Sequence, residues 1–459
     1  MDAVTNHEKP CKIYENNKFS KSYEGKHNTS WRCTKRGCNA TIYTIDGTLD
    51  ARDVVHNHPD TVTNVDSCVL RLGCKRKAMD NMDTRPGKVA RTVLAEIQDT
   101  DNLRTNDIQN CKKTIYRARR KRLPALPKTL EECVESIKKY PAPTSRREDF
   151  LMFSEMVSPS EGIVIFSCAS NLRLLCETDV ILGDGTFFVC PKQFYQLYTL
   201  HAHVNGHYIP LLFGLLPNKT EAAYSTFLNA VIIQCDSMGL SLQPEIVVLD
   251  FETAAHNAFK LSFPLVMVRC CGFHFSQAVF RKLTQLGLKN RYVDRDDEVG
   301  KWLKTCFGLP FLEPNAVEDA FTDDLMAEAE PVPEVESFAD YLLDTYITST
   351  SRFPPDMWAA SPGERTFPRT TNAAEAYHRH LKDSVGRSHP NIFVLAGVLM
   401  SLQEETYVKI QSVNLNRYVR PAERAKVEFI RAAYQRYTTN SISRKEYLKT
   451  VAYKFLPVG

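Results

Sequence analysis

The chain has 459 residues, of which 43% are hydrophobic and 24% are charged. This composition is typical of globular domains and excludes collagen-like and low-complexity proteins. The length predicts two to four domains. The longest apolar run, around Tyr208–Pro217, is too short to cross a bilayer, and Met1–Pro10 lacks the apolar segment of a secretory signal. We therefore expect a soluble protein without membrane contact.

Charge is unevenly distributed along the chain, whose formal net charge is +4. Residues 1–150 hold 29 basic against 20 acidic residues, whereas the remainder holds 29 basic against 34 acidic residues. The excess of basic residues in the first 150 residues indicates a polyanionic partner, although a solvated basic surface would have the same composition. The 14 cysteines are spread over a long chain without a signal, so we expect most of them to be reduced and buried.

The first 125 residues predict two small domains. Residues 1–62 are rich in β-prone residues, and the pair Asp46-Gly47 after such a run predicts a hairpin turn. Residues 63–125 change to helical periodicity, with a first helix through Val89 and a second helix capped by Asp107. The second helix is strongly basic, which fits a helix-turn-helix-like unit.

An α/β pattern begins after a proline-containing connection. Strands are expected at residues 180–182, 194–203, 208–216, 246–249 and 265–270. Between the third and fourth strands lies a predicted helix, Glu221–Met238, with Thr220 as its cap. Three strands, a helix and another strand is the order expected of an RNase H-like core, which we assign to residues 126–277 plus 369–459.

A helical insertion is predicted over residues 278–368. Its stretch from Glu313 to Asp344 contains eleven acids and no lysine or arginine, so it should not contact a phosphate backbone. The tail after Arg417 is basic and amphipathic.

Two cysteines and two histidines have the spacing of a structural zinc site. Cys33 and Cys38 are followed by the closely spaced pair His56 and His58. Two thiolates and two imidazoles complete a tetrahedral zinc shell. A domain of about 50 residues buries little surface, so the metal would supply missing folding energy. Incidental cysteines near an incidental His-x-His pair are the alternative.

This segment resembles the FLYWCH zinc finger. The resemblance rests on Trp31-Arg32-Cys33, Cys38 with Ala40, His56-Asn57-His58, and the earlier aromatics Phe19 and Tyr23. The resemblance covers roughly residues 11–60 and is less specific in the N-terminal part of this segment than at the candidate ligands. The resemblance implies zinc and DNA binding.

The basic helix that follows is the predicted DNA contact, acting largely through the phosphate backbone. The basic residues assigned to this contact are Lys112, Lys113, Arg117, Arg119, Arg120 and Arg122. This run and Lys75-Arg76-Lys77 are also compatible with nuclear localisation signals.

Three carboxylates stand where strands end or a helix begins. Asp184 follows the first strand of the α/β domain, Asp250 ends the fourth strand, and Glu375 lies early in a helix. Acids at the ends of neighbouring strands and a third on a helix can hold two Mg²⁺ ions about 4 Å apart. The alternatives are a turn at Asp184, a helix cap at Asp250, and a capping box between Asn372 and Glu375.

The blocks around these acids resemble Mutator-like (MULE) transposases over roughly residues 178–382. The blocks are Asp184-Gly185-Thr186-Phe187, Asn218-Lys219-Thr220-Glu221, Leu249-Asp250-Phe251-Glu252, Cys271-Gly272-Phe273-His274 and Thr371-Asn372-Ala373-Ala374-Glu375-Ala376-Tyr377-His378. One departure is Ala373, where the family often has a second asparagine.

The resemblance implies a DDE-type transposase in which Asp184, Asp250 and Glu375 are the catalytic Mg²⁺ ligands. The family's CxxH signature places Cys271 and His274 near them as further catalytic candidates. The pattern is equally compatible with a histidine and a thiol that only pack in the core.

His201-x-His203 shares one face of a strand, but no partner carboxylate or thiol is apparent. We therefore interpret this pair as part of a surface strand.

The sequence thus predicts a multidomain chain: a small β-rich zinc finger, a basic helical linker domain, and an RNase H-like α/β catalytic core interrupted by an α-helical insertion. The predicted activity is Mg²⁺-dependent cleavage at transposon ends and strand transfer to target DNA in the nucleus, with a structural zinc ion. A domesticated transposase that binds DNA without catalysis is the main alternative, and an RNA-processing nuclease is a weaker one. Homo-oligomerisation stays open.

Overall fold

The computed structural model describes residues 2–4, 10–15, 17–52, 54–59, 65–80, 84–97, 100–101, 103–140, 143–362, 372–415 and 419–456. The chain separates into two compact units, Met1–Leu126 and Pro127–Gly459. The predicted boundaries at 62/63 and 368/369 fall outside the described residues. Within the described ranges, no helix is long and apolar enough to span a bilayer.

The N-terminal unit begins with an antiparallel sheet in which each strand pairs with the next. Its strands are β1 (Asp2–Val4), β2 (Pro10–Tyr14), β3 (Asn17–Glu24), β4 (Asn28–Cys33), β5 (Thr41–Ile45) and β6 (Thr48–Asp50). Phe19, Trp31 and Ile42 come from three neighbouring strands and form the buried core of the sheet. Asp46 and Gly47 join β5 to β6 with positive φ angles of 46° and 86°, so the predicted hairpin turn is confirmed.

Three helices complete this unit: α1 (Val65–Asp80), α2 (Pro86–Leu94) and α3 (Thr105–Arg122). The sequence pattern predicts only the last two. The buried side of α1 consists of Leu70, Cys74 and Ala78, and the two small residues make its apolar stripe hard to recognise. The predicted cap of α3 is wrong, because Asp107 is the third helical residue and accepts a hydrogen bond from the Arg104 N–H at 3.0 Å.

The C-terminal unit contains a seven-stranded sheet. Its strands are β7 (Leu151–Ser158), β8 (Glu161–Phe166), β9 (Val180–Thr186), β10 (Gln196–Val204), β11 (His207–Leu216), β12 (Ile246–Leu249) and β13 (Met267–Cys270). The spatial order is β13-β12-β9-β10-β11-β8-β7. Strands β9 to β11 form an antiparallel meander, whereas β12 pairs parallel to β9 and β13 pairs parallel to β12. All five predicted strands are present, and β7 and β8 are additional.

Fourteen α-helices are described in this unit. They are α4 (Leu130–Lys138), α5 (Ala169–Cys176), α6 (Glu221–Ser237), α7 (Thr253–Ser262), α8 (Gly272–Gln285), α9 (Lys289–Val293), α10 (Glu298–Cys306), α11 (Val317–Asp319), α12 (Pro333–Leu342), α13 (Pro355–Trp358), α14 (Asn372–Val385), α15 (Ile392–Gln411), α16 (Pro421–Thr438) and α17 (Arg444–Phe455). Short 3₁₀ and π turns interrupt the region between α10 and α13.

Helix α6 covers the sheet as its sequence predicts. The Thr220 hydroxyl caps it by accepting a hydrogen bond from the Ala223 N–H, and Tyr224, Phe227 and Val231 are fully buried in the sheet's core. Burying each such side chain contributes about 1.5–3 kcal/mol.

A second, helical core lies beside the sheet's own core. Trp302 and Phe338 of the insertion are buried together with Tyr447 of α17. The sequence-based division instead attaches the whole C-terminal tail to the sheet. Apolar packing accounts for the difference, because Leu448 and Val451 of α17 are also fully buried in this helical core. Arg444 of the same helix contacts Asp324 in the acidic stretch of the insertion.

Candidate functional site

The four candidate zinc ligands converge in the N-terminal unit. Cys33 is the last residue of β4, Cys38 lies in the loop before β5, and His56 and His58 follow β6. Their donor atoms all lie within 4.8 Å of one another. Both cysteines are buried and both histidines are half-buried.

The contacts among the four side chains fit a metal ion. Cys33 Sγ lies 3.4 Å from His58 Nε2, Cys38 Sγ lies 3.4 Å from His56 Nδ1, and these two ring nitrogens are 3.2 Å apart. Donors around a tetrahedral zinc ion would be about 3.3–3.8 Å apart, given bond lengths of about 2.0 and 2.3 Å. His58 Nδ1 lies 2.9 Å from the Pro59 carbonyl oxygen, which places the ring proton on Nδ1 and leaves Nε2 free for a metal.

The two thiols differ in their ease of ionisation. Burial disfavours the Cys38 thiolate, but the N–H groups of Ala40 and Asn57 and the side chain of His56 outweigh burial and lower the pKa of Cys38 to about 6. Burial raises the pKa of Cys33. A bound cation would remove the Cys33 proton, since zinc binds thiolates rather than thiols.

Two of the three predicted carboxylates lie at one edge of the C-terminal sheet. Val248 of β12 pairs with Leu182 of β9, and the two strands run parallel. Asp250 and Asp184 each lie two residues further along, so they hold equivalent positions on neighbouring strands. Asp184 is buried, whereas 48% of the Asp250 side chain is exposed.

Glu375 approaches this edge on the first turn of α14, which packs against β9. His274 of α8 lies between two of the acids: its Nδ1 is 3.5 Å from Asp250 Oδ1 and its Nε2 is 3.4 Å from Glu375 Oε1. Oε1 of Glu375 is buried and makes no hydrogen bond within the described residues. A buried carboxylate oxygen that His274 approaches without forming a hydrogen bond is compatible with a cation site. The three carboxylates are nevertheless spaced more widely than the cysteine–histidine group.

Cys271 occupies the N-cap position of α8 and is fully buried. It interacts with His274, three residues further along, and contributes to that residue's electrostatic environment. The structure therefore brings Cys271 near His274 and buries its thiol away from solvent.

A histidine that the sequence analysis did not assign positions Asp184. His378 Nδ1 lies 3.2 Å from Asp184 Oδ2, and its Nε2 lies 2.8 Å from the Thr199 hydroxyl. Thr199 in turn donates to the main-chain oxygen of Asp184 at 3.1 Å. His378 lies three residues after Glu375, on the same side of α14, and this spacing is the sequence signal that identifies it.

The interpretation of His201 as part of a surface strand is wrong. Its side chain is buried, lies 3.0 Å from Thr199 Oγ1 and contacts the ring of Tyr377. Burial, together with the nearby His378, lowers the pKa of His201 to about 3. A neutral His201 therefore belongs to the packing beneath Asp184.

The pKa values of the acids reflect their shared burial. Burial raises the pKa of Glu375, a rise that His274 opposes and the charge of Asp184 reinforces. Burial also disfavours the Asp184 carboxylate, but His378 outweighs burial and lowers its pKa. Burial disfavours protonation of His274, but Cys271 and the carboxylates of Asp250 and Asp184 raise its pKa to about 9.

Two of the three non-catalytic interpretations of the acids disagree with the structure, and the third depends on a side chain outside the described residues. Asp184 lies inside β9 rather than in a turn. Helix α7 has Glu252 at its N-cap position, so Asp250 does not occupy the cap. The capping box between Asn372 and Glu375 remains untested, because the side chain of Asn372 lies outside the described residues.

The basic residues of α3 divide into two groups. Four of them project into solvent: Lys112, Lys113, Arg117 and Arg120. Arg119 is half-buried and donates to the carbonyl oxygens of Ala78 and Thr84, and Arg122 donates to that of Met79. These two arginines therefore stabilise the end of α1 within their own unit.

Residues 180–278 match the family model of the MULE transposase domain. The match extends from β9 into α8 and includes Asp184, Asp250, Cys271 and His274, whereas Glu375 lies beyond it. No curated protein matches the chain. The C-terminal unit thus contains a MULE transposase domain, which supports the MULE family and a transposase-type function.

We predict one zinc ion in the N-terminal unit. Cys38→Ser should abolish zinc binding by the fragment Met1–Leu126 and unfold its sheet, because structural zinc supplies about 10–16 kcal/mol, comparable to the whole stability of a small domain. Mass spectrometry of bound metal and circular dichroism measure the two effects. Cys68→Ser, at a buried cysteine of α1, is the control and should retain the metal. A sheet that stays folded after zinc is chelated would contradict the prediction.

Proposed function

We propose that the chain is a DDE-type DNA transposase whose active site contains Asp184, Asp250 and Glu375. The observation that carries this proposal is geometric. Parallel strands hold the two aspartates at equivalent positions, and His274 lies within 3.5 Å of both Asp250 and Glu375. Acids brought together from three distant parts of a chain favour a metal site over accidental packing.

We further propose an RNase H-like core. The support is the strand order β13-β12-β9-β10-β11, in which an antiparallel meander is followed by α6 and then by two parallel strands. This arrangement agrees with the order expected from the sequence. In such a core the reactive side chains would lie where β9 and β12 end.

The carboxylates would hold two Mg²⁺ ions, which activate the attacking hydroxyl and stabilise the leaving oxygen. The chain's own contribution is orientation. His378 contacts the carboxylate of Asp184, and Thr199 contacts both His378 and the main-chain oxygen of Asp184. The exposed side of Asp250 leaves room for a phosphodiester. Water would cleave a P–O bond at the transposon end, and the released 3′-hydroxyl would then attack a phosphodiester of the target.

The N-terminal unit would position DNA. Its cysteine–histidine cluster supports a FLYWCH-like zinc finger, and the exposed cations of α3 support contacts to phosphates. A nuclear location follows from a chromosomal DNA substrate. These features also support the second candidate, a domesticated transposase that binds DNA without cleaving it.

We predict that the purified chain nicks supercoiled plasmid DNA in Mg²⁺ or Mn²⁺. Asp184→Asn should slow nicking by about a hundredfold or more, because a lost metal ligand removes several kcal/mol of transition-state stabilisation. Asp236→Asn, at an exposed aspartate of α6, is the matched control and should nick at the wild-type rate. Equal nicking by Asp184→Asn and wild type would refute the active-site assignment. Metal-independent DNA binding without any nicking would favour the domesticated alternative.

We predict that α3 contributes phosphate contacts. The double change of Arg117 and Arg120 to alanine should flatten the slope of log affinity against log salt by about 2, since each lost phosphate contact contributes about 0.9. The matched control removes two exposed cations of the C-terminal unit, Lys289 and Arg295. Fluorescence anisotropy with duplex DNA at several salt concentrations gives the slopes. A slope that the α3 double variant leaves unchanged would mean that this helix does not contact DNA.

A further inference from the structure

Two large aromatic side chains are exposed beside the carboxylates. Phe187 is 45% exposed and Tyr195 is 53% exposed. They flank a loop between β9 and β10 in which Val189, Cys190 and Phe194 are buried and Phe188 is half-buried. The loop is therefore anchored, and its two exposed rings are held at the surface.

The two rings form a defined pair. Their centroids are 5.5 Å apart and their planes are nearly perpendicular, at 83°. The Tyr195 N–H donates to the carbonyl oxygen of Leu216 at 2.9 Å, which fixes that residue at the end of β11. Lys219 follows β11, and its Nζ lies 5.1 Å from the centroid of the Phe187 ring. An ordered aromatic pair with an adjacent cation offers stacking and charge in one place.

The location of this pair relates it to the acids. Phe187 lies three residues after Asp184 and directly follows the end of β9, so their Cα atoms are at most about 10 Å apart. Each nucleotide of a duplex strand advances by about 3.4 Å along the helix axis, and neighbouring phosphates lie further apart than this along the backbone. A strand whose phosphate reaches Asp184 would therefore pass the rings within about three nucleotides.

Positive charge extends along the same side. Lys382 lies on α14, two turns after Glu375, and is exposed. Its Nζ is 4.4 Å from the centroid of the Phe188 ring. Lys219 is paired with Glu252 at 2.8 Å, which holds its ammonium group beside Phe187 but partly neutralises it. The surface around the rings thus favours a polyanion over an apolar protein segment.

We propose that Phe187 and Tyr195 form a stacking platform for an unpaired nucleobase of the DNA strand that enters the carboxylate site. A base inside a duplex has no free face, so the platform takes a nucleotide that is unpaired or has left the stack. The platform deepens the proposed function, on which it rests, by specifying a locally unpaired DNA end as the substrate.

The test uses the full-length Asp184→Asn protein, which keeps its zinc ligands. The probe is a short oligodeoxythymidylate with one 2-aminopurine, compared with a blunt duplex of the same length. Stacking on an aromatic ring changes 2-aminopurine fluorescence. Adding Tyr195→Ala should weaken binding of the single strand about tenfold and abolish the fluorescence change, while duplex binding stays unchanged.

Matched variants separate stacking from other roles. Tyr195→Phe should retain both affinity and fluorescence change, whereas Tyr195→Leu, which keeps apolar bulk without a ring, should lose both. Tyr453→Ala removes a ring that is also 45% exposed, but from α17, and should behave like the parent protein. Thermal melting verifies that each variant is folded.

Several outcomes would overturn the platform. Unchanged affinity in Tyr195→Ala, full retention in Tyr195→Leu, or an equal loss of single-strand and duplex binding would each exclude stacking of an unpaired base. A change of oligomeric state in Tyr195→Ala would show that the rings contact a second copy instead. If the wild-type protein nicks DNA but Tyr195→Ala leaves single-strand binding unchanged, only the platform is refuted. Failure of nicking with an intact Tyr195 effect refutes the proposed catalysis and leaves the platform.

Discussion

Parallel pairing of β12 with β9 is the contact on which the candidate active site depends. The pairing of Val248 with Leu182 places Asp250 and Asp184 at equivalent positions. Side chains alternate along a strand, so a slip of one residue would turn one aspartate to the opposite face. Val247 and Val248 are fully buried on the two faces of β12, which makes such a slip costly. Helices α8 and α14 then add His274 and Glu375 to an edge that the sheet has already defined.

Electrostatic repulsion is the cost of this arrangement. Burial raises the pKa of Glu375, and the charge of the neighbouring Asp184 raises it further. Two histidines offset part of this cost: His378 holds Asp184, and His274 lies between Asp250 and Glu375. Bound cations would remove the remaining repulsion and would compete with His274 for the same carboxylate oxygens. His274 therefore acts as a counter-charge in the metal-free chain, whereas His378 contacts and orients Asp184, and both would be neighbours of the ligands when metal is bound.

Sequence patterns within short segments are sufficient to predict the features that depend on neighbouring residues. Ligand spacing identified Cys33 and Cys38, and strand-like runs ending in acids identified Asp184 and Asp250. Long-range packing was not accessible in this way. The burial of His201 depends on α14, which is far away in sequence, and the placement of α17 depends on the burial of Tyr447 and Leu448 in the helical core of the insertion. Helix α1 was missed because small residues form its buried stripe.

Anomalous diffraction from crystals soaked in Mn²⁺ tests the central claim most directly. The account predicts Mn²⁺ at the edge where β9 and β12 end, bound by Asp184 and Asp250, with Glu375 as a further ligand and a second ion about 4 Å away. The zinc signal at Cys33 and Cys38 serves as an internal reference. Crystals with that zinc signal but no Mn²⁺ at the carboxylates, and with His274 still between Asp250 and Glu375, would contradict a metal-dependent active site.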